Sequence, residues 1–148
     1  AFTSYTQIIE ASRTASRSGI ADAMVAAARE IAETTDVKAI CCFTHSGTTA
    51  LLTARERPRV PIIALTPLKR TARRLALSWG VNCVMTEELD RFKMAVVSAA
   101  RAARSEGFAG ASDFVVVTAG VPFNVPGSTN ILRVAPCDER LIFASDPE

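Results

Sequence analysis

Short, wholly apolar runs alternate along the chain with longer segments in which apolar residues recur at every third or fourth position. An unbroken apolar run predicts a strand that is covered on both faces, whereas the longer period predicts an amphipathic helix. The predicted strands are residues 37–43, 61–66, 81–86, 112–120 and 131–136. The predicted helices are residues 5–12, 19–33, 48–58, 69–79 and 87–107.

The regular alternation of strands and helices predicts the fold class. It indicates a three-layer α/β/α domain with a five-stranded, mostly parallel sheet. The fifth strand follows the fourth through the loop 121–130, which contains no predicted helix. Because a parallel crossover needs about a dozen residues or more, usually a helix, we expect the fifth strand to be antiparallel to the fourth and near an edge.

The 148 residues are enough for one domain with its own core. We predict a single domain over residues 1–148, in which 1–18 form a lead-in helix and a linker. Residues 19–136 then form the α/β core, and 137–148 form a charged tail with little periodicity.

Composition and charge exclude several classes of protein. The net charge is +2 and the arginines are scattered, so we expect no nucleic-acid partner. No run of 18 apolar residues occurs, and the first residues lack the layout of a signal peptide, so we expect a cytoplasmic protein without a membrane partner.

The cysteines predict neither disulfides nor a metal site. Cys41 and Cys42 are neighbours in a predicted strand, so their side chains should point to opposite faces of the sheet. No CxxC pair occurs, and His45 is the only histidine. We therefore interpret all four cysteines, which include Cys83 and Cys137, as small buried residues of a reduced protein.

A cluster of hydroxyl residues follows the first predicted strand, in the string FTHSGTTA that spans residues 43–50. It lies where a helix begins, and ligands of open α/β sheets bind beyond the carboxyl ends of the strands. The free amides of a helix N-terminus attract anions, and glycine lets the backbone approach a ligand. The candidate phosphate-binding residues are Thr44, His45, Ser46, Gly47, Thr48 and Thr49.

A helix N-cap is the alternative explanation for these hydroxyls, although a cap needs only one of them. A second candidate is the string PGSTN, residues 126–130, which follows the fourth predicted strand. Gly127, Ser128 and Thr129 in that string are equally explained as a turn before a strand.

Known catalytic patterns are absent from the sequence. It has no GxxxxGK[ST] and no GxSxG, and a phosphatase loop built on Cys42 would need an arginine where Thr48 stands. The acidic residues Glu87, Glu88 and Asp90 are interpreted as the start of a helix, where negative charge is favourable. We therefore predict no catalytic residue.

Two separated strings resemble the C-terminal domain of pyruvate kinases. They are TTDVKAICCFTHSGTTALLTARERPRVPIIALTP and DFVVVTAGVPFNVPGSTNILRV, in the family's order. The resemblance implies a glycolytic transferase whose catalysis, with its Mg and K ions, belongs to a β/α barrel elsewhere. It implies no cofactor in this domain, no activity of the isolated chain, and two partners: the catalytic barrel and further copies of the chain.

The resemblance also implies an allosteric site for a sugar phosphate. Thr44, Ser46, Gly47 and Thr49 would hold a phosphate, and the loop from Gly127 would close over the sugar. Animal enzymes carry arginine at the position of Thr48 and often lysine at that of His45. The loop 121–130 has no Arg, Lys or Trp, so a monophosphate fits better than a bisphosphate.

Two other functions are left open by the sequence. One is a free-standing protein that binds phosphate ligands and reuses this domain. The other is a small hydrolase or transferase that uses Ser46 or Cys42 as its nucleophile. The last predicted strand, ILRVAP, is also expected to pair with a second copy of the chain.

Overall fold

A computed structural model describes residues 16–120 and 129–145 of the chain. Its helices are α1 (Ser16–Thr34), α2 (Thr48–Arg55), α3 (Lys69–Ala76), α4 (Phe92–Ser105) and α5 (Glu139–Ser145). Its strands are β1 (Ile40–Phe43), β2 (Ile62–Thr66), β3 (Val81–Met85), β4 (Phe114–Ala119) and β5 (Ile131–Pro136). None of the helices in these two ranges has the length and apolar composition needed to cross a membrane.

The strands form one sheet in the order β3-β2-β1-β4-β5. β1 is parallel to both of its neighbours, with Cys42 beside Ala64 of β2 and beside Thr118 of β4. β5 pairs antiparallel with β4 and lies at one edge of the sheet, as the short connection predicted. The chain therefore leaves β1 toward β2 and β3, then returns to the other side of β1.

The helices cover both faces of this sheet and enclose two apolar layers. Cys41 lies in the layer built with α4 and α5, whereas Cys42 lies in the layer built with α1, α2 and α3. Successive strand residues point to opposite faces, which is why these neighbouring cysteines separate. The predicted three-layer α/β/α fold is confirmed.

The starts of two helices differ from the prediction. α1 begins at Ser16, three residues before the predicted start, and the predicted helix 5–12 lies outside the described residues. Residues 87–91 are not helical, because Arg91 is extended (φ −129°, ψ 137°) and α4 begins after it. Acidic residues near a helix start contribute only about 0.3–1 kcal/mol, which is too little to fix its boundary.

The charged segment near the end of the chain contains a helix that the sequence analysis missed. α5 places Ile142 in the core, and Cys137 just before it is also fully buried. The Glu139 carboxylate binds Arg101 at 2.9 Å and Arg104 at 3.2 Å, which ties α5 to α4. Residues 137–145 therefore belong to the core and are not a tail. The sequence did not predict this helix because seven helical residues are too few to show a clear period.

Candidate functional site

The β1–α2 loop, residues 44–47, lies where the strand order reverses. β1 leads to α2 on one side, and β4 lies on the other side of β1. Crevices at such switch points are the usual ligand sites of open α/β sheets. The chain returning toward β5 meets the start of α2 here, because the hydroxyl oxygens of Thr49 and Thr129 are 2.7 Å apart.

Gly47 shapes this loop. Its φ of +93° is in the left-handed region, which favours glycine. A Cβ atom at this position would lie only 3.2 Å from Cδ2 of Leu75 in α3. The Gly47 amide donates to Oγ1 of Thr44 at 2.8 Å, and its carbonyl accepts the first intrahelical bond of α2, from Leu51 at 3.1 Å.

The predicted site residues divide into a buried and an exposed group. Thr44, Gly47 and Thr49 are buried and hold the loop together. His45, Ser46 and Thr48 are exposed, and Oγ of Ser46 donates to Oγ1 of Thr48 at 3.0 Å. The exposed surface of the loop is therefore polar, with two adjacent hydroxyls.

The backbone amides at the start of α2 divide in the same way. The Thr48 amide donates to Oγ of Ser46 at 3.3 Å, so it is satisfied inside the loop, like that of Gly47. The amides of Thr49 and Ala50 precede the first intrahelical bond, which begins at Leu51. They carry the partial positive charge of the helix start.

Helix α3 supports the loop through three contacts that the sequence analysis missed. The hydroxyl of Thr71 donates to the carbonyl of His45, and Nη1 of Arg74 donates to the carbonyl of Ser46 at 3.0 Å. Leu75 lies against Gly47. The string KRTARRLA shows that α3 is basic, but its spacing does not reveal which arginine reaches the loop.

The second predicted loop is described only in part. Gly127 and Ser128 lie outside the described residues. Thr129 is buried, with 3% of its surface exposed, and its hydroxyl contacts that of Thr49. Asn130 begins the pairing with β4, because its amide donates to the carbonyl of Ala119 at 3.0 Å.

The structure argues against Cys42 as a nucleophile. Its thiol is fully buried, 3.5 Å from Oγ1 of Thr53, and burial raises the pKa of Cys42, which disfavours the thiolate. Burial also raises the pKa of Cys137, to about 11. The Ser46 hydroxyl faces another hydroxyl and not a base. No cluster of three His, Cys, Asp or Glu side chains able to hold a metal occurs within 16–120 and 129–145.

Comparison with known proteins identifies the family. Residues 22–135 match the family model described as the α/β domain of pyruvate kinase. The chain therefore belongs to the pyruvate kinase family, and the resemblance seen in its two strings is confirmed. The match includes the β1–α2 loop and ends inside β5.

Individual relatives agree with this result. The chain is 42% identical over 131 residues to a pyruvate kinase of Methylorubrum extorquens, covering 88% of this chain and 27% of the relative. It is 45% identical over 112 residues to one of Agrobacterium vitis, covering 76% of this chain and 24% of the relative. The chain thus spans about a quarter of the length of these relatives.

A solved structure shares the fold. It is that of Cryptosporidium parvum pyruvate kinase in complex with ADP, at a TM-score of 0.72 and 29% sequence identity. The similarity covers 80% of this chain and 24% of that one.

Proposed function

We propose that this chain is the regulatory and assembly domain of a pyruvate kinase, and that its β1–α2 loop binds the phosphate group of a small-molecule effector. The observation that supports this proposal is the pair of exposed hydroxyls, Ser46 and Thr48, at the start of α2. They lie at the switch point of the sheet, beside the amides that α2 leaves without intrahelical acceptors.

Each part of this loop has a chemical role in the proposal. The Thr48 hydroxyl, which accepts from Ser46, can donate to a phosphate oxygen, and the Ser46 hydroxyl can do so by rotating away from Thr48. The start of α2 adds the partial positive charge of its backbone. His45 is exposed and adjoins Ser46 in the chain, so its ring N–H is a further donor. Thr44, Thr49 and Thr129 are buried, so their role is to hold the two loops in place.

The ligand class that we propose is a sugar phosphate or another monophosphate. Residues 121–130 contain no arginine or lysine that could neutralise a second phosphate. A second phosphate at that loop would add negative charge that no cation of the loop neutralises, so we expect it to add little affinity.

A ligand titration followed by thermal unfolding tests the site. In sulfate-free buffer, a phosphate monoester at about 100 times its Kd should stabilise the protein by about 2.7 kcal/mol. The double variant Ser46→Ala, Thr48→Val should lose this shift, while Ser105→Ala, which removes an exposed hydroxyl at the end of α4, should keep it. If neither monophosphates nor bisphosphates raise the thermal stability of the wild-type protein, the effector site is refuted.

The proposal leaves catalysis to another part of a pyruvate kinase. The chain corresponds to about a quarter of its relatives, and we assign it no metal or cofactor of its own. We infer that the 148 residues alone transfer no phosphoryl group. Production of pyruvate by the purified chain from phosphoenolpyruvate, ADP and Mg²⁺ would contradict this assignment. We also propose that the protein is cytoplasmic.

A further inference from the structure

We propose that Arg74 is a further phosphate-binding residue of this site and supplies positive charge to it. This inference rests on the proposed function, which it extends to a residue outside the loop. The sequence strings that resemble the family's phosphate loop do not contain Arg74, which comes from α3.

The position of Arg74 is fixed by its contact with the loop. Its Nη1 donates to the carbonyl of Ser46 at 3.0 Å, and the side chain of that same Ser46 is one of the two exposed hydroxyls. α3 is held against the loop by two further contacts, from Thr71 to the carbonyl of His45 and from Leu75 to Gly47. The guanidinium is therefore held, without any ligand, on the same residue whose hydroxyl we propose as a phosphate ligand.

The chemistry of the guanidinium suits a second bond. Arginine has five N–H donors in a fixed plane, and only Nη1 is used by the Ser46 carbonyl. Among the described residues, Arg74 forms no ion pair with a carboxylate, so no such pair competes for its charge. It can therefore hold the loop and bind a phosphate oxygen at the same time.

The contact distinguishes Arg74 from the other cations of α3. Lys69, Arg70 and Arg73 are also exposed, but none has a hydrogen bond to the loop in the described part of the chain. Adjacent residues of a helix point about 100° apart, so Arg73 faces a different direction from Arg74. Arg73 is thus a matched control, since its loss changes the net charge equally without touching the loop.

Isothermal titration in sulfate-free buffer tests the inference, with inorganic phosphate and glycerol 3-phosphate as probes. Arg74→Gln should weaken binding about tenfold to a hundredfold, the range expected for a lost charged hydrogen bond. The glutamine side chain is shorter, so this variant also gives up the bond to the Ser46 carbonyl. Arg74→Lys should retain part of the affinity, and Arg73→Gln should stay within about twofold of wild type.

The dependence on salt separates a direct contact from a loosened loop. If Arg74 binds phosphate, the affinity of Arg74→Gln should fall less steeply with rising NaCl than that of wild type, because one charge pair is gone. A weakened variant with an unchanged salt dependence would mean a structural role only, and would overturn the inference.

Two further outcomes separate this inference from the proposed function. Binding that is unchanged in Arg74→Gln but lost in Ser46→Ala, Thr48→Val would overturn the role of Arg74 and leave the phosphate site intact. Equal losses in Arg73→Gln and Arg74→Gln would assign the effect to net charge and would also overturn it. Absence of phosphate binding by the wild-type chain would refute both.

Discussion

At the scale of single residues, hydroxyls that look alike in the sequence have different roles. Thr44 and Thr49 face inward, where one accepts from the Gly47 amide and the other contacts Thr129. Ser46 and Thr48 face solvent and are the groups that a ligand could reach. Both interpretations of the cluster therefore apply, to different residues: some hydroxyls stabilise the loop, and others form its binding surface.

Gly47→Ala should be more destabilising than Gly107→Ala. Both glycines have positive φ, +93° and +79°, which costs an L-residue about 1–2 kcal/mol. Only at Gly47 would the new Cβ come close to a neighbour, Cδ2 of Leu75 at 3.2 Å, whereas Gly107 has nothing within 4 Å. The additional cost of crowding should be about 1 kcal/mol.

Urea unfolding of the two variants measures this difference. The Gly47 variant should also lose phosphate affinity, because the backbone there shapes the loop, and the Gly107 variant should not. Equal losses of stability in both variants would show that Leu75 moves aside without cost.

At the scale of elements, two helices have structural roles that their sequences do not predict. α3 reads as an ordinary basic helix, yet it supports the β1–α2 loop through Thr71, Arg74 and Leu75. α5 lies in a charged stretch, yet it completes the layer formed by α4 and one face of the sheet. Short helices of this kind depend on tertiary contacts, because few of them are stable alone.

Ile142→Ala should reveal the contribution of α5 to stability. Ile142 is fully buried, so its truncation should lower the free energy of unfolding by about 2–5 kcal/mol. Leu141→Ala is the matched control on the same helix, since Leu141 is 53% exposed, and should change stability by about 0.5 kcal/mol or less. Chemical denaturation of both variants is the measurement, and similar midpoints would mean that α5 is not part of the cooperative core.

At the scale of the whole molecule, the sheet ends in two edge strands, β3 and β5. Exposed apolar side chains lie near β5, at Phe114, Val134 and Phe143. An exposed edge with apolar neighbours favours pairing with another chain. Assembly through β5 remains a proposal, and it makes β5 the edge to test.

Val134→Lys should weaken self-association, because it places a charge on the β5 edge of each copy. We expect the wild-type chain to form a dimer in sedimentation velocity and the variant to shift toward monomer. Met85→Lys is the matched control on the other edge strand, where Met85 is 46% exposed, and should leave the dimer intact. Assembly through β5 would be contradicted if the wild-type chain stayed monomeric at all concentrations. It would also be contradicted if Met85→Lys disrupted the dimer and Val134→Lys did not.

The sequence by itself determined the order of the strands along the chain, the parallel core and the antiparallel last strand. These follow from local signals: apolar runs in β1, β2 and β4, and a connection to β5 without a helix. It also determined the family, through two strings that lie far apart in the chain.

Only the tertiary structure decided which hydroxyls face solvent, that Arg74 reaches Ser46, and that Ile142 belongs to the core. The physical reason is that these features depend on contacts between residues distant in sequence, such as Thr49 with Thr129. Periodicity records which face of an element is buried, but not which element covers it.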